Sequence, residues 1–193
     1  MKIASLITAR GGSKGIPYKN IKPINGKPLI SYSIIQSLKS KVDETWVSTD
    51  DVRIKDVSLE YGAKVIDRPK ELSGDVIMPD DSIVHFAESV DFDWVIFIQP
   101  TSPLIKSKYI DIGIEMIKSG EYDSVFTATK EHWLPRWNKN IEPIDWNIYK
   151  RPRRQDKPEL YTENGMFYIT NREQLLKSKL RYSGRMGVVE IPL

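Results

Sequence analysis

The chain has 193 residues, 40% hydrophobic and 28% charged, with a formal net charge of +3, which suits one globular domain with a sizeable core. No apolar run approaches the length of a membrane span, and the absence of cysteine excludes disulfides, thiolate nucleophiles and thiolate metal sites. The charge is unevenly spread: Met1 to Val42 holds eight Lys or Arg residues and no acid, and Lys150, Arg151, Arg153, Arg154 and Lys157 form a second basic cluster.

Ile3 to Ala9 carries Ser5 and Thr8 and runs into Arg10 without an A-x-A pattern. It therefore reads as a buried first strand, Ile3 to Thr8, and not as the core of a signal peptide. After a long loop, Ile30, Ile34, Ile35 and Leu38 recur at helical spacing. A short strand over Thr45 to Ser48 precedes a helix marked by Ile54, Val57 and Tyr61, and a brief strand over Lys64 to Ile66 stops before Arg68 and Pro69. Pro79 and Asp80 open a helix carrying Ile83, Val84, Ala87 and Val90. Trp94 to Ile98 is a strand closed by Pro100, and a helix over Tyr109 to Ile117 is ended by Gly120. Further strands are read over Ser124 to Thr129, Met166 to Thr170 and Met186 to Glu190, with a helix over Asn171 to Leu180.

Alternating strands and helices predict a doubly wound α/β fold with a mostly parallel sheet and right-handed crossovers. Ligands in such folds bind outside the carboxyl ends of the strands, which directs attention to the loops 9–27, 49–51 and 99–103. From Lys130 to Glu163 the periodicity breaks, and Trp133, Trp137, Trp146 and Tyr149 alternate with Pro135, Pro143, Pro152 and Pro158. This stretch is expected to be an arm packing on another subunit, an irregular cover over the protein's own core being the alternative.

The loop Arg10-Gly11-Gly12-Ser13-Lys14-Gly15 follows the first strand. Its glycines let backbone N–H groups approach phosphate oxygens and adopt positive φ where needed, and Arg10, Lys14 and Lys19 can neutralise a triphosphate. The spacing is neither a Walker A motif nor the dinucleotide fingerprint. Asp50 with Asp51 reads equally as a helix cap or a ligand pair, Asp80 with Asp81 as a cap, and Asn164-Gly165 as a turn before a strand or a functional pair. His85 and His132 show no partner spacing for a triad or a zinc site.

The runs Ala9 to Pro17, Lys19-Asn20-Ile21, Gly26 to Ile30, Val47 to Asp50, Arg68 to Leu72, Gln99 to Leu104, Arg153 to Pro158 and Asn164 to Tyr168 carry a resemblance. In family order they resemble the acylneuraminate cytidylyltransferases, the CMP-sialic acid and CMP-legionaminic acid synthetases. The resemblance implies a Rossmann-like nucleotide-diphospho-sugar transferase fold with an extended dimerisation arm. It also implies a single domain over 1–193 with 130–163 as that arm, and a cytoplasmic homodimer. The implied reaction is attack of a nonulosonic acid on CTP, giving the CMP-sugar and pyrophosphate with Mg2+ as cofactor. Ala9, Arg10, Gly11, Ser13, Lys14, Lys19 and Asn20 would hold the triphosphate, with Arg10, Lys14 and Lys19 catalytic by charge. Ser73 and Asp75 would reach the cytosine, and Gln99, Thr101, Ser102, Arg154, Gln155 and Tyr168 would line the sugar site.

The family's magnesium-binding Asp-x-Asp pair has no match after Met186 to Glu190. The metal ligands are therefore unassigned, with Asp50, Asp51 and Asp75 as in-chain candidates. A homologue that binds nucleotide without turnover is the alternative. Neither a membrane nor a nucleic-acid partner is expected, because the aromatics do not fall at the spacing of a sheet-face reader.

Overall fold

The computed structural model describes residues 1–13, 15–74, 77–156 and 158–192. Seven strands build the central sheet: β1 (Ile3–Thr8), β2 (Glu44–Thr49), β3 (Lys64–Asp67), β4 (Trp94–Ile98), β5 (Ser124–Lys130), β6 (Tyr161–Asn171) and β7 (Met186–Glu190). Their order is β7-β5-β6-β4-β1-β2-β3. β6 is antiparallel to both β4 and β5, while the other pairings are parallel.

Five α-helices cover the sheet: α1 (Leu29–Leu38), α2 (Val52–Glu60), α3 (Pro79–Ser89), α4 (Ser107–Lys118) and α5 (Arg172–Ser178). The strands alternate at period two, so successive side chains feed opposite layers. Ile3, Ile7, Ile96 and Ile98 pack with Ile30, Ile34, Ile54, Ile110 and Ile114 of α1, α2 and α4. Ala4, Leu6, Val95 and Phe97 pack with Ile83, Phe86 and Leu175 of α3 and α5. Burial on both faces explains why β1 and β4 read as continuous apolar runs.

From β1 the chain moves outward to β2 and β3, then returns to place β4 on the other side of β1. That reversal opens a crevice between the carboxyl ends of β1 and β4.

Two expectations need correction. β6 begins at Tyr161, not at Met166, and pairs Tyr161, Thr162 and Glu163 with Lys130, Thr129 and Ala128. Its register shifts between Glu163 and Tyr168, where Gly165 has φ +68. Asn164-Gly165 is thus a bulge inside a long strand, not a turn before one, and the bulge hides the strand's alternation. The segment between β5 and β6 also has structure of its own. Arg136–Trp137 pairs antiparallel with Pro143–Ile144, and Trp146 meets both Trp133 and Trp137 edge-on.

Candidate functional site

The crevice at the strand reversal is a cleft of about 630 Å³. Thr8, Arg10, Ser13, Lys19 and Asn20 form one wall, and Gln99, Pro100 and Thr101 beyond β4 form another. Arg68, Leu72 and Gly74 close one side, and Pro79 and Ser82 bring the first turn of α3 to the rim. Three cations face this space and no Asp or Glu is among the described residues lining it. A cleft lined by cations raises the local concentration of an anion.

Each wall is fixed by bonds the sequence anticipates only in part. Ala9 is fully buried and its N–H donates to the Ser48 carbonyl at 2.9 Å, joining the loop to β2. The N–H of Gly11 donates to Asp50 Oδ1 at 2.9 Å. A Cβ on Gly11 would lie 2.7 Å from Asp51 Oδ2, so glycine is required there by close approach. Positive φ is not the reason: neither Gly11, Gly12 nor Gly15 adopts it, and among the described residues between Gly11 and Lys19 it is Tyr18 that does, with φ 50. Arg10 Nη1 donates to the carbonyl of Gly74 at 2.9 Å and to that of Ser73 at 3.4 Å, so the guanidinium spans from loop to rim. Asn20 is buried; its Nδ2 donates to the Arg10 carbonyl at 3.1 Å, while Oδ1 is buried with no partner. An orphan acceptor on a cleft wall is a place for a ligand hydroxyl or amine to donate.

Arg68 is the residue that the sequence reading left without a role. It is buried, with Nε donating to Ser48 Oγ at 3.0 Å and Nη2 to the Ser48 carbonyl at 2.7 Å. Burial pulls its pKa down to about 10, against the opposing pull of Asp50. It stays charged at neutral pH and has no carboxylate within ion-pair distance among the described residues. Arg68 directly follows β3, so the strand-end rule that singled out Gln99 after β4 points to it as well.

Not every expected residue reaches the cleft wall. Ser73 turns its carbonyl to Arg10 and its hydroxyl to the Pro69 carbonyl at 3.4 Å. Ser102 lies one residue past Thr101, with its N–H donating to the Gln99 carbonyl at 3.2 Å. Gln155 is exposed in the turn Arg154–Asp156. Tyr168 is 3% exposed, stacked on Phe97, and donates its hydroxyl to Glu163. Desolvation and the Glu163 carboxylate both push that hydroxyl's pKa upward, so it remains a neutral donor. Lys14, Asp75 and the side chain of Arg154 lie outside the described residues.

Of the acidic pairs, Asp51 caps α2, accepting from the N–H groups of Arg53 at 2.9 Å and Ile54 at 3.3 Å. Asp81 accepts from the Met78 N–H at 3.1 Å, the cap expected of it. Asp80 instead joins Arg181 in an ion pair whose side chains are 11% and 14% exposed. Arg181 also lies over the rings of Tyr168 and Phe97, at 5.1 and 5.5 Å. The described residues contain no cluster of three or more His, Cys, Asp or Glu side chains fit to hold a metal. Asp50 and Asp51 are engaged with Gly11, Arg53 and the helix cap, so the described residues show no ready-made set of carboxylates for magnesium.

A cationic cleft at the strand reversal of a doubly wound sheet is suited by its charge to an anionic ligand. A model of the family described as cytidylyltransferase matches residues 4–190. The chain is 39% identical to N-acylneuraminate cytidylyltransferase A of Danio rerio over 98% of its own length and 46% of that protein's. It is 34% identical to CMP-N,N'-diacetyllegionaminic acid synthase of Legionella pneumophila, over 95% of this chain and 84% of the relative. In fold it matches a CMP:2-keto-3-deoxy-manno-octonic acid synthetase solved in complex with CTP, with TM-score 0.77, 21% identity, and coverage of 100% of this chain and 91% of that one. The chain belongs to the cytidylyltransferase family, and spans about half the length of the first of these relatives.

Proposed function

We propose that this chain activates a nonulosonic acid with CTP, releasing pyrophosphate and the CMP-sugar. The observation that carries the reading is the cleft itself: Arg10, Lys19 and Arg68 face a space with no carboxylate among its described lining residues, and Gln99 and Thr101 stand opposite. The anomeric hydroxyl oxygen of the acid attacks the α-phosphorus, the bond to the bridging oxygen of pyrophosphate breaks, and the hydroxyl proton passes to solvent. Arg10 and Lys19 offset the charge that builds on the phosphate oxygens, which is how phosphoryl-type transfers are accelerated. Gln99 and Thr101 bind the sugar on the far wall. The names of the relatives at 34% and 39% identity, a legionaminic and an acylneuraminate enzyme, support the acceptor class.

Magnesium enters this reading with the nucleotide. It would supply charge neutralisation at the phosphates, and beyond phosphates and water it would call on one or two protein carboxylates. A homodimer through the segment 130–163 also belongs to the proposal, supported by exposed Tyr149, Ile148 and Trp137 on that segment. No helix among the described residues is long and apolar enough to cross a membrane, and the reading places the reaction in the cytoplasm.

The test is pyrophosphate release with CTP and a panel of nonulosonic acids, with and without magnesium. Release is expected only when CTP, an acid and magnesium are all present. CTP binding by calorimetry with no turnover on any acid would instead assign a nucleotide-binding homologue.

A further inference from the structure

The loop that carries Arg10 and Lys19 is tied down at both ends, and the second tie is unexplained by the cleft. Asp50 holds the first end at the Gly11 N–H. At the other end Tyr18, immediately before Lys19, takes a left-handed conformation with φ 50 and ψ 35. A bulky residue adopts that region only against a steric cost, so something must hold it. Its ring is 47% exposed and touches the cleft nowhere. Instead the guanidinium of Arg53, on the first turn of α2, lies 3.9 Å from the ring centroid.

Arg53 is itself aimed. Asp51 grips it as a fork, Nη2 to Oδ2 at 2.6 Å and Nε to Oδ1 at 3.1 Å. The same Asp51 Oδ2 is the atom that approaches Gly11 so closely. One carboxylate therefore packs against the start of the loop and orients the arginine that clasps its end.

We propose that Arg53 and Tyr18 are positioning residues for the nucleotide, a clasp that holds the loop 11–19 and so presets Arg10 and Lys19 at the cleft. The proposal rests on the reading of the cleft as a CTP site. Neither residue is among those lining the cleft. Their effect is to spare the ligand the ordering of a glycine-rich loop, which would otherwise be drawn from its affinity.

The experiment combines hydrogen exchange of the ligand-free protein with calorimetry using CTP and magnesium, on Arg53→Met, Tyr18→Gly and Tyr18→Phe. Arg53→Met leaves the Asp51 cap of α2 in place, because the cap accepts from backbone N–H groups. Tyr18→Gly removes the ring and relieves the backbone, so its thermal midpoint holds or rises. Both are expected to speed exchange of amides 11–20 and to weaken CTP about fivefold, the scale of an exposed cation–π contact. The kcat at saturating CTP is expected to stay within about twofold, since uniform binding is what is lost. Tyr18→Phe keeps the ring face and is expected to keep the affinity. Wild-type exchange rates in both clasp variants, or faster exchange with unaltered CTP affinity, overturn the clasp. A wild-type protein that binds no CTP overturns the cleft reading instead, while loop exchange still decides whether the clasp exists.

Discussion

The cleft and the segment between β5 and β6 use the same chemistry at opposite degrees of burial. Between the cleft-lining Pro79 and Ser82 in sequence, Asp80 pairs with Arg181, their side chains 11% and 14% exposed, and Arg181 lies over the rings of Phe97 and Tyr168. In the segment, Arg136 and Asp145 pair with side chains 58% and 71% exposed, beside three tryptophans. A pair in water gains little, whereas a buried pair is costly to split because the survivor keeps its charge without a partner. The cleft is therefore a place where one substitution propagates. The segment, whose ion pair lies in water, has little to lose from a change of charge.

Three substitutions sharpen this contrast. Asp80→Ala strands the buried Arg181 guanidinium and is expected to cost about 3–5 kcal/mol in urea unfolding. A loss below about 1 kcal/mol would show that water reaches the pair and that the rim is not as dry as it looks. Gly11→Ala puts a methyl group 2.7 Å from Asp51 Oδ2 and is expected to cost about 1–3 kcal/mol, as overpacking does, with weaker CTP binding by calorimetry. Gly12→Ala, with nothing within 4 Å of the added carbon, is its control. Smallest in stability is Tyr149→Lys, at a side chain 96% exposed. The urea midpoint is expected to hold, while sedimentation shows the proposed dimer dissociating. A dimer that survives the charge places the contact elsewhere.

The sheet was legible because burial on two faces leaves long apolar runs, and Trp94 to Ile98 has the same limits in sequence and structure. The first residues of β6 were not legible, since the Gly165 bulge cancels the alternation and Tyr161 to Asn164 are exposed. At the site, Arg10, Ser13, Lys19, Asn20, Gln99 and Thr101 stand on the cleft wall as their strand-end positions imply. Arg68 was overlooked because its strand, Lys64–Asp67, is short and only half-buried, giving its end little prominence. The partners of Asp80 and Asp50 could not be read at all. Arg181 lies 101 residues from Asp80, and Gly11 39 from Asp50, and no local pattern records such distances.

The reversed strand has a consequence for how this protein could change. β5 ends beside the cleft, and because β6 runs the other way, the chain re-enters the sheet at that same end, Tyr161 opposite Lys130. A parallel β6 would have needed a crossover and would have delivered the intervening residues to the far end. The thirty residues from Glu131 to Leu160 are thus a connection that leaves the sheet and returns to it at one end. Such a connection can change in length while the loop 9–27, fastened to β2 and α2 on the other half of the sheet, keeps its geometry. A single antiparallel strand thus lets the connection leave and return at one end of the sheet without a crossover.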